Sequence, residues 1–147
     1  MNRTHFYIAD VFAERKYAGN QLAVFRDAGH LTSEEMQAIA QEMHFSETTF
    51  ILGEEPDLGG GFDVRIFTPA EEVPFAGHPT LGTAHVIRHA LLHDQADSVT
   101  LNLKVGPIPV TFGGDGYAWM RQVPPRFGPQ HAAASLAPVL GLDVADL

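Results

Sequence analysis

At 147 residues and 45% hydrophobic content, the chain has the length of one ordinary domain, enough to bury a core and too little for two large separate domains. Nine basic residues against eighteen acidic ones give a formal net charge of −9, which repels a phosphate backbone and an anionic bilayer, so neither nucleic acid nor membrane is an expected partner. The absence of Cys excludes disulfides, thiolate metal sites and any thiol-based proton transfer.

Met1-Asn2-Arg3-Thr4-His5 has no apolar signal core behind it, and nowhere do about 18 apolar residues run together, so the expected location is the cytoplasm. Thr4 to Phe12 and Leu22 to Arg26 read as two paired strands around the turn-rich Tyr17-Ala18-Gly19-Asn20-Gln21. Thr32 with Glu35 forms a capping box, and Met36, Ile39, Ala40 and Met43 recur at helical spacing, which predicts a helix from Ser33 to Met43. Thr48 to Leu52 and Phe62 to Thr68 read as a hairpin across the polar loop Gly53 to Gly61. Glu47 therefore stands at a helix-to-strand junction.

Ile66 to His93 is the centre of the chain. A β run ends at Thr68, Pro69 and Pro74 break the backbone, and Gly77-His78-Pro79-Thr80 opens an apolar segment of about four turns. Strand, loop and helix in this order make an anion site of the helix N-terminus, with Pro79 at the first helical position and Gly77 admitting a ligand to the main chain. His78 either caps the helix or meets a ligand. The helix from Thr80 to His93 is apolar around most of its circumference, so it is expected to be wrapped on several sides. Three strands follow as a meander, Ser98 to Lys104, Ile108 to Phe112 and Tyr117 to Val123, and then a short helix, Ala132 to Leu140, ended by Gly141.

Among the residues able to do chemistry, Glu47 lies between Phe45-Ser46 and Thr48-Thr49-Phe50, where a partly apolar pocket suits a carboxylate that takes and returns a proton; the other reading is an exposed acid at a helix end. Glu72, beside Val73, either orients His78 or a ligand or is a solvated loop acid. Asn20 either bonds a substrate or holds a turn. His85, His89 and His93 share one helical stripe, but no helical HExxH glutamate and no third ligand accompany them, so no metal site is expected. Trp119 reads as core or interface. No Ser-His-Asp order, P-loop or dinucleotide fingerprint is present.

Asp10-Val11-Phe12, Gly19-Asn20, Phe45-Ser46-Glu47-Thr48-Thr49-Phe50, and Phe67-Thr68-Pro69-Ala70 through Glu72 to Gly77-His78-Pro79-Thr80-Leu81-Gly82-Thr83-Ala84 resemble, in order and spacing, the N-terminal half of the PhzF-like phenazine-biosynthesis isomerase family. The resemblance implies an α+β, diaminopimelate epimerase-like domain, with mixed and antiparallel strands wrapped around a central helix at about Thr80 to His93. It implies proton transfer without a cofactor on a small carboxylic acid, with Glu47 as general acid/base, His78 as a catalytic residue that helps to hold the polar substrate, and Asn20, Ser46, Glu72, Gly77 and Thr80 around the substrate. Thiol-dependent racemases of the same fold carry Cys before the helix-opening glycine, where this chain has Ala76. Gln21 stands where the family commonly has Pro.

The family is about twice this long, and its second domain, which supplies an Asp and a Gly-Ser loop to the site, has no counterpart here. The expectation is one PhzF-like N-terminal domain over residues 1–147, pairing as a homodimer through the apolar surface that a half-protein exposes. The alternative to an isomerase is a non-catalytic domain that binds a small acid or a protein partner.

Overall fold

The computed structural model describes residues 3–147; Met1 and Asn2, the start of the polar N-terminal stretch, lie outside the described residues. β1 (Phe6–Val11) pairs antiparallel with β2 (Asn20–Phe25), and α1 (Ser33–Met43) carries the chain to β3 (Glu47–Ile51), parallel to β2. β4 (Gly61–Phe67) returns antiparallel to β3, and the two-residue β5 (Glu72–Val73) folds back on its end. α2 (Gly77–Val86), prolonged by a π turn over Ile87–Leu91, then leads to β6 (Ser98–Leu103), parallel to the start of β4. β7 (Gly106–Phe112) and β8 (Ala118–Met120) complete the predicted meander, and α3 (Ala133–Leu140) and a 3-10 turn (Val144–Asp146) follow.

The sheet order is β1-β2-β3-β4-β6-β7-β8, with β5 beside β4. Its two parallel crossovers, β2-α1-β3 and β4-α2-β6, advance across the sheet in the same direction, but β4 and β6 run opposite to β2 and β3. Right-handed crossovers under those conditions must lie on opposite faces. α1 accordingly packs over Ala23, Phe25, Phe50 and Phe67, whereas α2 packs over Leu22, Val24, Ile51, Val64 and Ile66. The pleat makes the separation strict, since successive residues of each strand belong to different cores.

The sheet curls around α2, which touches β1, β2, β3, β6 and β8. Only a helix apolar all round fits there, and His78, Pro79, Thr80, Gly82, Thr83, Ala84 and Val86 are all buried. On the α1 face, Phe6, Phe25, Phe50 and Phe67 form an aromatic row with centroid spacings of 5.0, 5.2 and 5.5 Å, ended by the Arg65 guanidinium 5.0 Å from the Phe67 ring.

Several boundaries differ from the expected ones. Asn20 and Gln21 belong to β2 rather than to a turn, because they complete the ladder opposite Val11 and Asp10. α2 opens at Gly77, three residues before Thr80, so Pro79 is its third residue, still within the first turn where no intrahelical N–H is needed. The π turn at Ile87–Leu91 breaks the period that aligned His85, His89 and His93; His93 adopts φ 51° beyond the helix, and His89 Nδ1 lies 2.9 Å from Asp94 Oδ2. Trp119 is 68% exposed and is not core. Among the described residues, no helix is long and apolar enough to cross a membrane, and no three metal-binding side chains converge.

Candidate active site

The parallel pairing of β2 with β3 brings their first residues, Asn20 and Glu47, to one end of the sheet, with Leu22 opposite Glu47. Both residues share the face of Leu22, Thr49 and Ile51, the face that receives α2. Gly82 allows the close approach of that helix: a Cβ there would lie 2.6 Å from Leu22 Cδ2 and 2.6 Å from Val11 Cγ2. Gly19 does the same for the chain entering β2, since its Cβ would lie 2.6 Å from the Val11 carbonyl oxygen. Thr49 and Thr83, both fully buried, bond hydroxyl to hydroxyl at 2.8 Å and tie β3 to α2.

This packing places His78 against Glu47. His78 Nδ1 is 3.0 Å from Glu47 Oε2, with side-chain exposures of 8% and 20%. On the other side of the ring, Nε2 lies 3.3 Å from the Gln21 carbonyl oxygen. A carbonyl only accepts, so Nε2 carries a hydrogen and donates it. Nδ1 then faces a carboxylate oxygen, and the contact is attractive when one proton lies between them, on the ring or on the carboxyl group. Glu47 Oε2 is out of solvent, and no hydrogen-bond donor is aligned on it. That oxygen has lost its water without gaining a fully formed substitute. The Gln21 contact is through main chain, which a proline at that position would offer equally.

The N-terminus of α2 opens at the same place. Its N-cap is Ala76, so no side chain caps the first turn and His78 is not the cap. Thr80 is fully buried and donates its hydroxyl hydrogen to the Ala76 carbonyl at 2.7 Å, so it shapes the helix mouth from below. Gly77 stands at the mouth, where Met120 Cε lies 3.2 Å from the position a Cβ would take. Asn20 and Ser46 line a pocket of about 290 Å³ together with Gln21, Phe45 and His44.

Glu72 is the exception among the expected site residues. It pairs with Phe67, and the pleat puts it on the α1 face, across the sheet from Glu47 and His78. There Arg65 binds it through two bonds of 2.9 Å and Lys104 through one of 3.1 Å. These cations, Arg65 first, hold its pKa down to about 2. His44 was not expected in the pocket. Its signal in the sequence is positional: it follows the last turn of α1, where Gly or Asn is usual, and it adopts φ 56°.

Against this geometry, residues 9–129 match the family model described as phenazine biosynthesis-like protein. The chain belongs to that family. A trans-2,3-dihydro-3-hydroxyanthranilate isomerase of Pseudomonas chlororaphis is 45% identical over 106 residues, which cover 68% of this chain and 37% of the relative; its counterpart in Pseudomonas aeruginosa is 41% identical over 104 residues. Among solved structures, a predicted epimerase of Pseudomonas aeruginosa superposes with a TM-score of 0.80 at 37% identity, over 99% of this chain and 53% of that one. A PhzF-family phenazine biosynthesis protein of Bacillus anthracis superposes with a TM-score of 0.73 at 33% identity, over 97% and 48%. The fold is therefore the expected α+β, epimerase-like one, and the chain spans between about a third and a half of the length of these PhzF-family relatives.

Proposed function

We propose that this chain carries the acid/base half of a cofactor-independent isomerase that moves a proton on a small carboxylic acid, in phenazine-type or related secondary metabolism. The observation that carries the reading is the buried Glu47–His78 contact at the end of β2 and β3. The isomerase names of the relatives support the reaction class.

In the proposed cycle Glu47 is the base and His78 stands beside it. Glu47 removes a C–H proton next to a conjugated system, which leaves an electron pair delocalised over the substrate, and then returns a proton at a second carbon. One C–H bond breaks and another forms, so atoms and electrons balance with no net redox change. The Gln21 carbonyl keeps Nε2–H of His78 engaged, which fixes the ring so that Nδ1 stays on Glu47. Asn20, Ser46 and the Gly77 main chain bind the polar groups of the substrate. The working assembly in this reading is a cytoplasmic homodimer.

The test follows trans-2,3-dihydro-3-hydroxyanthranilate in deuterated buffer by NMR, with parent and E47Q. Glu47→Gln keeps size and polarity but cannot take a proton, so conversion and deuterium incorporation should drop by about 10²- to 10⁴-fold. Equal rates for E47Q and parent would remove Glu47 as the base. No conversion by the parent would leave the chain, by itself, a binding domain.

A further inference from the structure

One face of α2 and the inward side of β8 meet in layers. Ala118 and Met120 pack into the core that holds α2, and the exposed Trp119 between them points out. β8 runs toward the mouth of α2, so Met120, its last residue, reaches Gly77, the first residue of the helix. Leu81 follows four residues after Gly77 on the same helical face, and with Ala118 it lines a cavity of about 570 Å³ between β1 and β8. The Gly77–Met120 contact therefore lies about one helical turn nearer the mouth than that cavity does.

Gly77 precedes His78, so the two residues point about 100° apart around the helix axis. A ligand seated on Glu47 and His78 thus has the β8 side of the mouth as its next wall. That wall is the end of one side chain. Outside the backbone of α2 and the chain neighbours of Gly77, Met120 Cε, at 3.2 Å, is the one atom among the described residues within 4 Å of the position a Gly77 Cβ would take. β8 has three residues and pairs with β7 alone, and just beyond it the Arg121 N–H reaches the Pro109 carbonyl at 3.3 Å. Met is unbranched and adapts its shape to what it touches. The wall is therefore apolar, and it sets a limit of size.

We propose that Met120 is a specificity-determining residue of the Glu47–His78 site, its methyl end closing the β8 side of the helix mouth and limiting the acid to a single ring or a short chain. The proposal rests on the reading above that a small carboxylic acid binds beside Glu47. Trimming the side chain to Ala joins the mouth to the cavity behind it, where Ala9, Val11, Leu81 and Ala118 offer apolar surface to a second ring. Asp10 and Glu14 in the same lining repel a carboxylate, so a bicyclic acid enters the cavity by its hydrocarbon end.

The test titrates benzoate and 2-naphthoate by NMR into the full 147-residue chain and compares the parent with M120A and M120L. Added apolar pocket space discriminates between ligands by about tenfold or more, so the naphthoate-to-benzoate affinity ratio should rise about tenfold in M120A. M120L, close to Met in volume, should return the ratio to within about twofold of the parent. A merely structural role lowers the melting temperature of M120A and changes both affinities alike. Should M120A fail to fold, the parent supplies a second measurement. With methyl-labelled methionine, benzoate should move the Met120 methyl signal and leave that of Met36, buried on the α1 face, in place. The proposal is overturned by an unchanged ratio in M120A, by an unmoved Met120 signal at saturating benzoate, or by no benzoate binding up to roughly 10 mM. E47Q separates it from the isomerase reading. Retained benzoate binding with lost deuterium exchange supports both, whereas exchange at the parent rate overturns Glu47 as base and leaves the affinity ratio to decide Met120.

Discussion

Arg65 and Lys104 give Glu72 three charge-assisted hydrogen bonds, and the same arrangement makes it a stability element with a defined pH window. Its pKa is about 2 in the folded chain against an ordinary 4.5, so the unfolded chain takes up the proton first as pH falls. The contribution is complete above about pH 4.5 and is lost as pH falls toward about 2. Urea titrations at about pH 6 and about pH 3 should show a larger loss of stability in the parent than in E72Q, and equal losses would contradict the network. Spacing could not assign this residue. Between Pro69 and Pro74 the sequence offers no period from which to read a face, and the face was decided by pairing with Phe67. Glu47 was legible because Thr48 to Leu52 reads as a strand and Glu47 directly precedes it.

At the scale of elements, the bond between Thr49 and Thr83 is the strap that holds α2 in register with β3, two residues from Glu47 and five from His78. Thr83→Val removes one hydroxyl and leaves the other buried without a partner, at a cost of about 1–3 kcal/mol. Replacing both by Val removes the pair with little change of shape, so T49V/T83V should recover most of that loss. A double-mutant cycle by urea denaturation measures it, and additive losses would show that the two side chains are not coupled. α1 was fully readable in advance, since its capping box is local: the Thr32 hydroxyl accepts from Glu35 N–H at 3.2 Å, and Glu35 Oε2 accepts from Thr32 N–H at 2.8 Å. The start of α2 was less readable, since Ala76 carries no capping side chain and a Gly-His-Pro opening has no strong local preference.

Across the whole molecule, the curled sheet and the C-terminal segment contrast. Residues 121–132 are exposed throughout, and α3 packs chiefly on the 3-10 turn after it. Leu136, Val139, Leu140, Leu142 and Val144 stay open to solvent, Val139 at 81%. A face of this kind on an isolated chain favours self-association. In the homodimer reading, light scattering at about 100 μM should give twice the chain mass for the parent and the single mass for V139D/L142D. A monomeric parent would remove the homodimer from the proposed function.

The sequence by itself determined the elements and the family, because strand alternation, helical spacing, the capping box and the motifs from Phe45 to Phe50 and from Phe67 to Ala84 are all short-range patterns. Tertiary structure alone decided which carboxylate faces His78. Antiparallel pairing and the pleat send Glu72 to the α1 face and keep Glu47 on the α2 face, a choice made by partners far apart in the chain. It likewise decided the surroundings of His78: the Gln21 carbonyl at one ring nitrogen and Glu47 at the other come together only when the sheet closes around α2, and no local pattern encodes that.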